Sequence, residues 1–500
     1  MHYSLLQPAL VTFLVAAVGW TMGCLEFTQA LMTTAGGRFE TQSSARANAF
    51  LVAFGLSKAA SNLLAGWLAD HAGRKPAMVF GWIAGAGIPP MLYYARSWGV
   101  VVGSDILLGM NQALCWATGI FVLIDLLGPN RRALAVGVLE TAGYVAIAIA
   151  RPIVASVGGC SMETREDFAL LSTLIVIIIS GILSLFFMQD TKSLAQSGDQ
   201  VSSSGDTAAD TIVLATDDSA AVASMDHRGD VSMTTPQGVG TPFASPLAGA
   251  SASRSGNAVA PLRRRADLNQ RDKAHSSARI ALAAACVAGC VLNFGTAYAW
   301  GSMTRWLTSR ECAGGSCGTS GVCGAGGGKG ALASNVLLGY SLIKGLGQMP
   351  AGAAADRRLL LGAGSWSFVV GGLALIAVAF SGLAMLVASD GNHQMGDPSI
   401  LESSRPDAED IPLSAATIAG AVLLTATLGV GTALAYANLQ ACAAALAPAE
   451  RRSSAIGLVR CIRDSGYAVG GLVLGSATDL LKWPWVCLLY TSPSPRDGLL

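Results

Sequence analysis

Ionisable side chains occur inside apolar stretches of this sequence that are long enough to cross a membrane. They include two lysines and three acids, namely Lys58, Lys344, Glu26, Asp105 and Glu140. A charge inside a bilayer costs at least a few kcal/mol, so such residues are functional candidates by default. Two lysines that face one cavity would attract an anion, and a buried carboxylate could carry a coupled proton.

The depth of Lys58 favours a role in a central site. Lys58 precedes Asp70, at the end of its apolar run, by twelve residues. That separation is about 18 Å along a helix, which is close to the midplane of a bilayer. The alternative is that each lysine is paired locally and holds two helices together.

The acids also have structural interpretations. Asp105 lies near one end of its apolar run, so a solvated position at the membrane surface is the alternative to a coupling site. Glu140 aligns with Arg463, which has Asp464 beside it, when two Gly-Tyr pairs of the sequence are matched. An ion pair between helices is therefore an alternative to a proton site there.

Polar and aromatic residues of the fourth, seventh and tenth apolar runs could line the same cavity, although most aromatic residues at such positions pack against other helices. These residues are Asn111, Gln112, Trp116, Asn293, Tyr298, Trp300, Tyr436 and Asn438.

The composition indicates a polytopic membrane protein. The chain has 500 residues, of which 52% are hydrophobic and 13% are charged, whereas soluble domains carry about 25% charged residues. Eleven apolar runs are long enough to span, and the first is too long for a cleavable signal peptide. They lie near 8–35, 44–69, 76–96, 98–128, 132–157, 168–188, 278–307, 331–355, 359–389, 413–446 and 453–477.

A polar segment divides these runs into two groups. Residues 190–276 are rich in Ser, Ala, Asp, Thr and Gly and contain a basic run at 263–265. They cannot bury enough apolar surface to offset their ordering entropy, so a disordered loop is predicted. Residues 1–189 are then a six-helix bundle, and residues 277–480 are a second bundle with five spans.

Lysine and arginine predict the orientation, because they are enriched in cytoplasmic loops. With the amino terminus in the cytoplasm, the central loop is cytoplasmic too, and so are the basic pairs at 74–75, 131–132, 357–358 and 451–452. The acidic segments 163–167 and 390–410 are then external.

A glycine-rich external loop contains Cys312, Cys317 and Cys323. One disulfide with a spare thiol is the favoured interpretation for an oxidising compartment. A zinc site is the alternative, but a fourth ligand and a nearby histidine are missing. The sequence contains no phosphate loop, histidine-based metal pair or nucleophile elbow, so we expect no enzyme activity, metal, cofactor or nucleic-acid partner.

The two groups of spans are repeats of each other. At a constant offset, Lys58 matches Lys344, Gly66 matches Gly352 and Asp70 matches Asp356. A second match joins Asn130-Arg-Arg-Ala-Leu-Ala-Val-Gly137 to Glu450-Arg-Arg-Ser-Ser-Ala-Ile-Gly457. Parallel repeats of this kind place a binding site between the halves, near the midplane.

The segment from Gly66 to Pro76, with the pattern G-x-L-A-D-x-x-G-R-K, resembles the loop signature of the major facilitator superfamily (MFS) of transporters. The stretches 108–116, 124–132 and 137–144 further resemble a group of bacterial-type permeases. This resemblance supports the fold but does not identify the substrate. The resemblance implies an all-α membrane protein of two pseudo-symmetric six-helix bundles, with 11 of 12 spans present. It also implies alternating access.

In such a protein, Asp70 would contact the amino end of the eleventh span near Ser453 and Ser454. Asp356 would do the same at the fifth span, and Asp70→Asn is expected to shift the population inward. The residues predicted to form these gating loops are Gly66, Asp70, Gly73, Arg74, Lys75, Arg131, Arg132, Gly352, Asp356, Arg357, Arg451 and Arg452.

The carboxyl end departs from the pattern. Residues 485–490 are too short to span, and the ending that follows resembles translated library adaptor. Residues 481–500 are therefore an incomplete twelfth span or an artefactual tail, and the alternative is an eleven-span protein with an external tail.

The sequence predicts a monomeric membrane transporter that moves a small organic solute or anion, with or without proton coupling. A drug or metabolite antiporter is one alternative, although the antiporter pattern Gly-x-x-x-Gly-Pro-x-x-Gly-Gly is not met around Pro152. A transporter-like receptor or scaffold that does not transport is another. Substrate, coupling and the identity of the membrane are left open.

Overall fold

The computed structural model describes residues 6–33, 37–157, 162–194, 259–303, 307, 331–357, 364–395, 414–447 and 449–481. Cys312, Cys317 and Cys323, most of the central segment and residues 482–500 lie outside this set. Within it, every regular element is helical. Met1–Asp199 and Ala281–Leu500 together form one compact unit, and Gln200–Ile280 forms another.

The described residues of the amino-terminal half form eight α-helices, two of them short. They are α1 (Leu6–Met32), α2 (Ser44–Ala47), α3 (Ala49–His71), α4 (Arg74–Ala86), α5 (Ile88–Tyr93), α6 (Trp98–Leu127), α7 (Arg132–Val157) and α8 (Met162–Phe187). The carboxyl-terminal half contributes α9 (Val259–Tyr298), α10 (Ala331–Asp356), α11 (Ser365–Met395), α12 (Ala415–Leu446) and α13 (Arg452–Leu481).

Eight helices of the described residues are long and apolar enough to cross a membrane, namely α1, α3, α6, α7, α8, α9, α11 and α12. The other three predicted spans correspond to the α4–α5 pair, α10 and α13. Charged residues in the middle of α13 lower the mean hydropathy of that helix. This is why α13 is not among the eight helices that are apolar enough to cross a membrane. The all-helical membrane architecture is the predicted one.

The third predicted span is not one continuous helix, which corrects the sequence prediction for 76–96. α4 ends at Ala86, and α5 starts again at Ile88 with Pro89 in its first turn. Proline has no backbone N–H and clashes with the preceding turn, so it is tolerated at the start of a helix but interrupts one.

The two halves meet along two matching seams. α3 packs along α13, and α7 packs along α10. Glycines allow the backbones to approach: a Cβ on Gly66 would lie 2.5 Å from the Ser453 carbonyl oxygen, and one on Gly137 would lie 2.6 Å from that of Gln348. Small residues at such crossings are how helices pack closely in membranes.

One face of the second half differs from its counterpart. In the first half, α8 packs against α1 and α4. The corresponding helices of the second half, α9 and α11, border an apolar groove of about 630 Å³. Its lining includes Val287, Val291 and Phe380, and in the described part of the chain no helix covers it.

Candidate functional site

Lys58 of α3 lies in the interior and is surrounded by aromatic rings. Its Nζ donates to Gln112 Oε1 at 3.1 Å. The same nitrogen lies 4.9 Å from the ring centre of Phe54, 5.2 Å from that of Tyr467 and 5.7 Å from that of Trp116. Gln112 and Trp116 were both predicted to line this site, and the structure brings them to Lys58.

Lys344 of α10 has an equivalent environment in the other half. Its Nζ donates to Thr296 Oγ1 at 3.2 Å, and it lies 3.9 Å from the ring centre of Tyr144 and 4.8 Å from that of Tyr436. Both lysines are buried. Neither has a carboxylate within ion-pair distance among the described residues, so local pairing with an acid does not account for them.

The rings beside the two lysines form one aromatic cluster, defined here as Trp116, Tyr144, Trp300, Tyr436 and Tyr467. Tyr144 is 5.4 Å from Trp116 and 5.8 Å from Tyr436 between ring centres. Its hydroxyl donates to that of Tyr436 at 3.1 Å, and Trp300 stacks on Tyr467 at 5.6 Å. The cluster draws on α6, α7, α12, α13 and the π-helical turn Ala299–Met303, so both halves build it.

A buried polar network crosses between the halves beside this cluster. Arg460 Nη1 lies 3.3 Å from Glu140 Oε1 and donates to Gln440 Oε1 at 2.7 Å. Its Nε donates to Asn62 Oδ1 at 3.1 Å, and Gln440 Nε2 donates to Glu140 Oε1 at 2.8 Å. Glu140 and Asn62 belong to the first half, so Arg460 ties both of them to the second.

The sequence prediction missed Arg460: it aligned Glu140 with Arg463 and gave an ion pair there as an alternative to a proton site. Arg463 Nη1 is farther from Glu140, at 4.0 Å. The signal was present in the repeat: the offset that matches Gly137 to Gly457 also matches Glu140 to Arg460. Matching the Gly-Tyr pairs shifts the alignment of the two repeats by three residues. Because three residues are nearly one helical turn, this alignment selects Arg463, which lies on the same face of α13 as Arg460.

Arg463 also forms a shorter buried pair with Asp464. Its Nε and Nη2 donate to the two carboxylate oxygens at 2.7 and 3.1 Å. Asn62 and Asn293 each donate to Asp464, at 2.8 and 2.6 Å, and the Arg463 guanidinium lies over the Tyr436 ring. Asn293, a predicted lining residue, therefore belongs to this polar network.

Glu26 and Arg151 face a small chamber on the far side of the cluster from Asp70. The chamber is lined by Glu26, Arg151 and Trp300 together with apolar side chains. Arg151 Nη1 donates to Ser341 Oγ at 3.4 Å, and its guanidinium lies 5.1 Å from the Trp300 ring. Arg151 had no predicted role in the site, and its intramembrane position is the signal that could have indicated one.

Asp105 is fully buried, so the solvated position offered as its alternative is wrong. The packing of α6 against its neighbouring helices buries this residue, which the distance to the helix end did not reveal. Its surroundings include Glu26 and Gln29 of α1.

Three predicted lining residues make their contacts elsewhere. Asn111 Nδ2 donates to the Gly81 carbonyl of α4 at 3.0 Å, and Tyr298 packs on Phe380 of α11. Asn438 Nδ2 donates to the Leu434 carbonyl of its own helix at 2.8 Å. All three are buried.

At one end of the helices, Asp70 contacts the start of α13. Its Oδ2 accepts from the Ser454 backbone N–H at 2.8 Å and from Ser454 Oγ at 2.6 Å. Asp356 similarly accepts from the N–H groups of Ala133 and Leu134, at 3.2 and 2.7 Å, at the start of α7. Each carboxylate faces the positive end of a helix dipole in the other half, at the positions that the repeat predicted.

The remaining residues of the predicted gating loops surround these contacts. Arg74 is buried and pairs with Asp125 at 3.0 Å and with Asp70 at 3.5 Å. Gly73 has φ 109°, and a Cβ there would collide with the Asp190 carboxylate, which accepts from the Lys75 N–H at 3.0 Å. Arg131, Arg357 and Arg451 are exposed, Arg132 is partly exposed, Arg452 is buried, and Gly352 lies against Ala133.

Comparisons with known proteins agree with this architecture. The model of the Major Facilitator Superfamily matches residues 3–388. A search of curated proteins found no match.

Two similar solved structures are both described as transporters. One is described as the MFS proton:xylose symporter XylE bound to 6-bromo-6-deoxy-D-glucose; it is 12% identical, with a TM-score of 0.55 over 98% of this chain and 94% of that chain. The other is the human organic anion transporter MFSD10 (TETRAN), 14% identical, with a TM-score of 0.47 over 96% of this chain and 98% of that chain. At 12% identity, the likeness to the first of these structures concerns the fold alone.

Proposed function

This chain belongs to the major facilitator superfamily, and from that premise we propose that it moves a small organic anion across a membrane by alternating access. The carrying observation is the pair formed by Lys58 and Lys344. One comes from each half, both are buried, and both donate only to neutral side chains among the described residues.

Charge balance supports an anionic cargo. The buried cations around the aromatic cluster are Lys58, Lys344, Arg151, Arg460 and Arg463, and they outnumber the carboxylates of Glu26, Glu140 and Asp464 in the same region. Cation–π contacts offset about 2 kcal/mol of the cost of burying an ammonium, which is less than the several kcal/mol that desolvation costs. An anion between the lysines would supply the missing compensation.

The aromatic cluster supports a cargo with an apolar or planar body. Flat rings can stack on such a body, while Lys58 and Lys344 hold its charged group. Trp116 Nε1, Trp300 Nε1 and the Tyr467 hydroxyl are buried and have no partner among the described residues. These donors could bind further oxygen atoms of the cargo.

The seams support alternating access as the mode of transport. A site that both halves build can face one side at a time if the halves tilt about it. The Asp70 and Asp356 contacts would then break whenever that end opens, because each joins opposite halves.

The proposal can be tested with matched pairs of charged and neutral compounds. The full chain in detergent is heated with benzoate or benzamide, with succinate or succinamide, and with xylose as a neutral polyol. We expect the melting temperature to rise with at least one anion and not with its amide. Lys344→Gln and Lys58→Gln should each make that rise smaller. The apparent affinity for the anion should fall at least about tenfold, since each variant removes an ammonium contact of about 1.4 kcal/mol or more.

Uptake of the bound anion into proteoliposomes then tests transport itself. Binding without uptake would favour the receptor alternative. Equal binding of an anion and its amide, with the lysine variants unchanged, would overturn the assignment of the lysines to an anion.

A further inference from the structure

A group of polar side chains with unusual bonding lies between α1 and α6, away from the lysines. Glu26, Gln29 and Asp105 are all buried, at 3%, 1% and 0% exposure. Neither carboxylate oxygen of either acid has a hydrogen-bond partner among the described residues, and the same holds for both polar atoms of Gln29. Buried polar groups are nearly always bonded, so six unpartnered atoms in one place need an explanation.

The helices hold these three side chains close together. Glu26 and Gln29 are three residues apart on α1, so they project from the same face of that helix. α1 packs antiparallel to α6, since Gly119 lies against Val15 and Gln112 Nε2 donates to the Val18 carbonyl at 3.4 Å. Following that register along both helices brings Asp105 level with the turn of α1 that carries Glu26 and Gln29. The position of Gln29 is thus fixed by the packing of two transmembrane helices.

The chemistry of an acid and an amide accounts for four of the unpartnered atoms. A primary amide has an N–H donor and a carbonyl acceptor, and an ionised carboxylate has acceptors only. An ionised Asp105 could therefore accept from Gln29 Nε2 but would leave Gln29 Oε1 without a donor. A protonated Asp105 could donate its O–H to Gln29 Oε1 and accept from Nε2, which satisfies both groups at once.

The surrounding charges favour the same protonation state. Glu26 is the charged group that acts on Asp105 from the packed elements, and it is acidic. Glu26 itself is faced by Arg151 of α7, Lys58 of α3 and Lys344 of α10. The cations of this region thus act on Glu26 and not on Asp105, and two ionised carboxylates beside each other in a low dielectric would be costly.

We propose that Asp105 is a buried proton-binding site, at which the neutral carboxylic acid pairs with the Gln29 amide. The ligand is a single proton, taken up by one Asp105 carboxylate oxygen and released from it. Glu26 lines the chamber with Trp300 of the other half, so movement of the halves would change the surroundings of this proton. Coupling of the proton to cargo movement rests on the proposed function, whereas the site itself does not.

Infrared spectroscopy of the reconstituted full chain tests the site directly. A protonated carboxyl has a C=O stretch that is separate from the carboxylate bands and shifts in D₂O. At neutral pH we expect this band in the native chain and a loss of its Asp105 contribution in Asp105→Asn. The asparagine amide can pair with Gln29 in the same way as the acid, so the variant is expected to fold.

Matched variants distinguish this site from other carboxyl groups. Asp167→Asn removes an exposed acid at the same end of the bundle and should leave the band unchanged. Gln29→Met keeps Asp105 but removes its partner, so the band should move to higher frequency. A band that keeps its full intensity in Asp105→Asn, or of which no part moves in Gln29→Met, would overturn the proposal whatever the cargo assay shows.

Discussion

At the scale of single residues, Arg460 connects more parts of the interior than the other side chains of the polar network. It contacts Glu140, Asn62 and Gln440, which lie on α7, α3 and α12. A buried ion pair gains little net stability, because the desolvation of both charges opposes their attraction. Removing only one of the two partners is costly, since the remaining charge is then buried and unpaired.

A double-mutant cycle should show this asymmetry. Arg460→Met and Glu140→Gln alone are each expected to destabilise the protein, the first by roughly 3–5 kcal/mol because it leaves Glu140 without its closest cation. The double variant should recover most of that loss. Thermal unfolding in detergent measures all four proteins, and an additive cycle would show that the two residues do not act as a pair.

At the scale of helices, the seam between α3 and α13 depends on close backbone contact. Gly66 faces Ser453, and Gly457 faces the Asn62 carbonyl oxygen, where a Cβ would lie at 2.6 Å. Backbone atoms cannot yield as a flexible side chain can, so an added methyl group must push the helices apart.

Gly66→Ala is therefore expected to destabilise the closed seam by about 1–3 kcal/mol. Gly339→Ala on α10 is the matched control, because a Cβ at Gly339 meets nothing within 4 Å. It should leave stability unchanged or raise it slightly, as alanine favours a helix over glycine. Equal melting temperatures of the two variants would contradict the close-contact account of the seam.

At the scale of the whole molecule, the halves are joined at both ends of the helices. Asp70 and Asp356 make the contacts at one end. At the other end, Asp479 of α13 accepts from Ser43 Oγ at 2.8 Å and from the N–H groups of Ser44 and Ala45, at 2.7 and 3.0 Å. Contacts at opposite ends would oppose each other in an alternating mechanism.

Removing the contact at one end should therefore shift the population of open states in the opposite direction from removing the contact at the other end. Asp70→Asn is expected to favour opening at its own end by about tenfold, or about 1.4 kcal/mol, since it weakens two charge-assisted hydrogen bonds. Asp479→Asn should favour opening at the other end, by less because Asp479 is exposed.

Asn130 and Glu450 are exposed near the Asp70 end, on opposite halves. Spin labels at these two positions would report the distance between the halves at that end by double electron–electron resonance. A shift of the same sign in both variants would rule out opposed contacts.

Much of the architecture follows from the sequence alone. Apolar length predicted the spans, because each helix must satisfy its backbone within the bilayer. The repeat predicted which helices meet, as shown by the contacts of Asp70 with α13 and of Asp356 with α7. It also predicted the equal depth of Lys58 and Lys344, since depth is a matter of counting residues along a helix.

Only the tertiary structure decided which side chains share a site. The aromatic cluster, the Arg460 network and the pair of Asp105 and Gln29 each draw on residues from different helices. Their contacts depend on how each helix is rotated and on its axial register to within one turn, which residue counting leaves undetermined. Hence the sequence aligned Glu140 with Arg463 where Arg460 is its closer partner, and it left open for Asp105 a surface position that packing excludes.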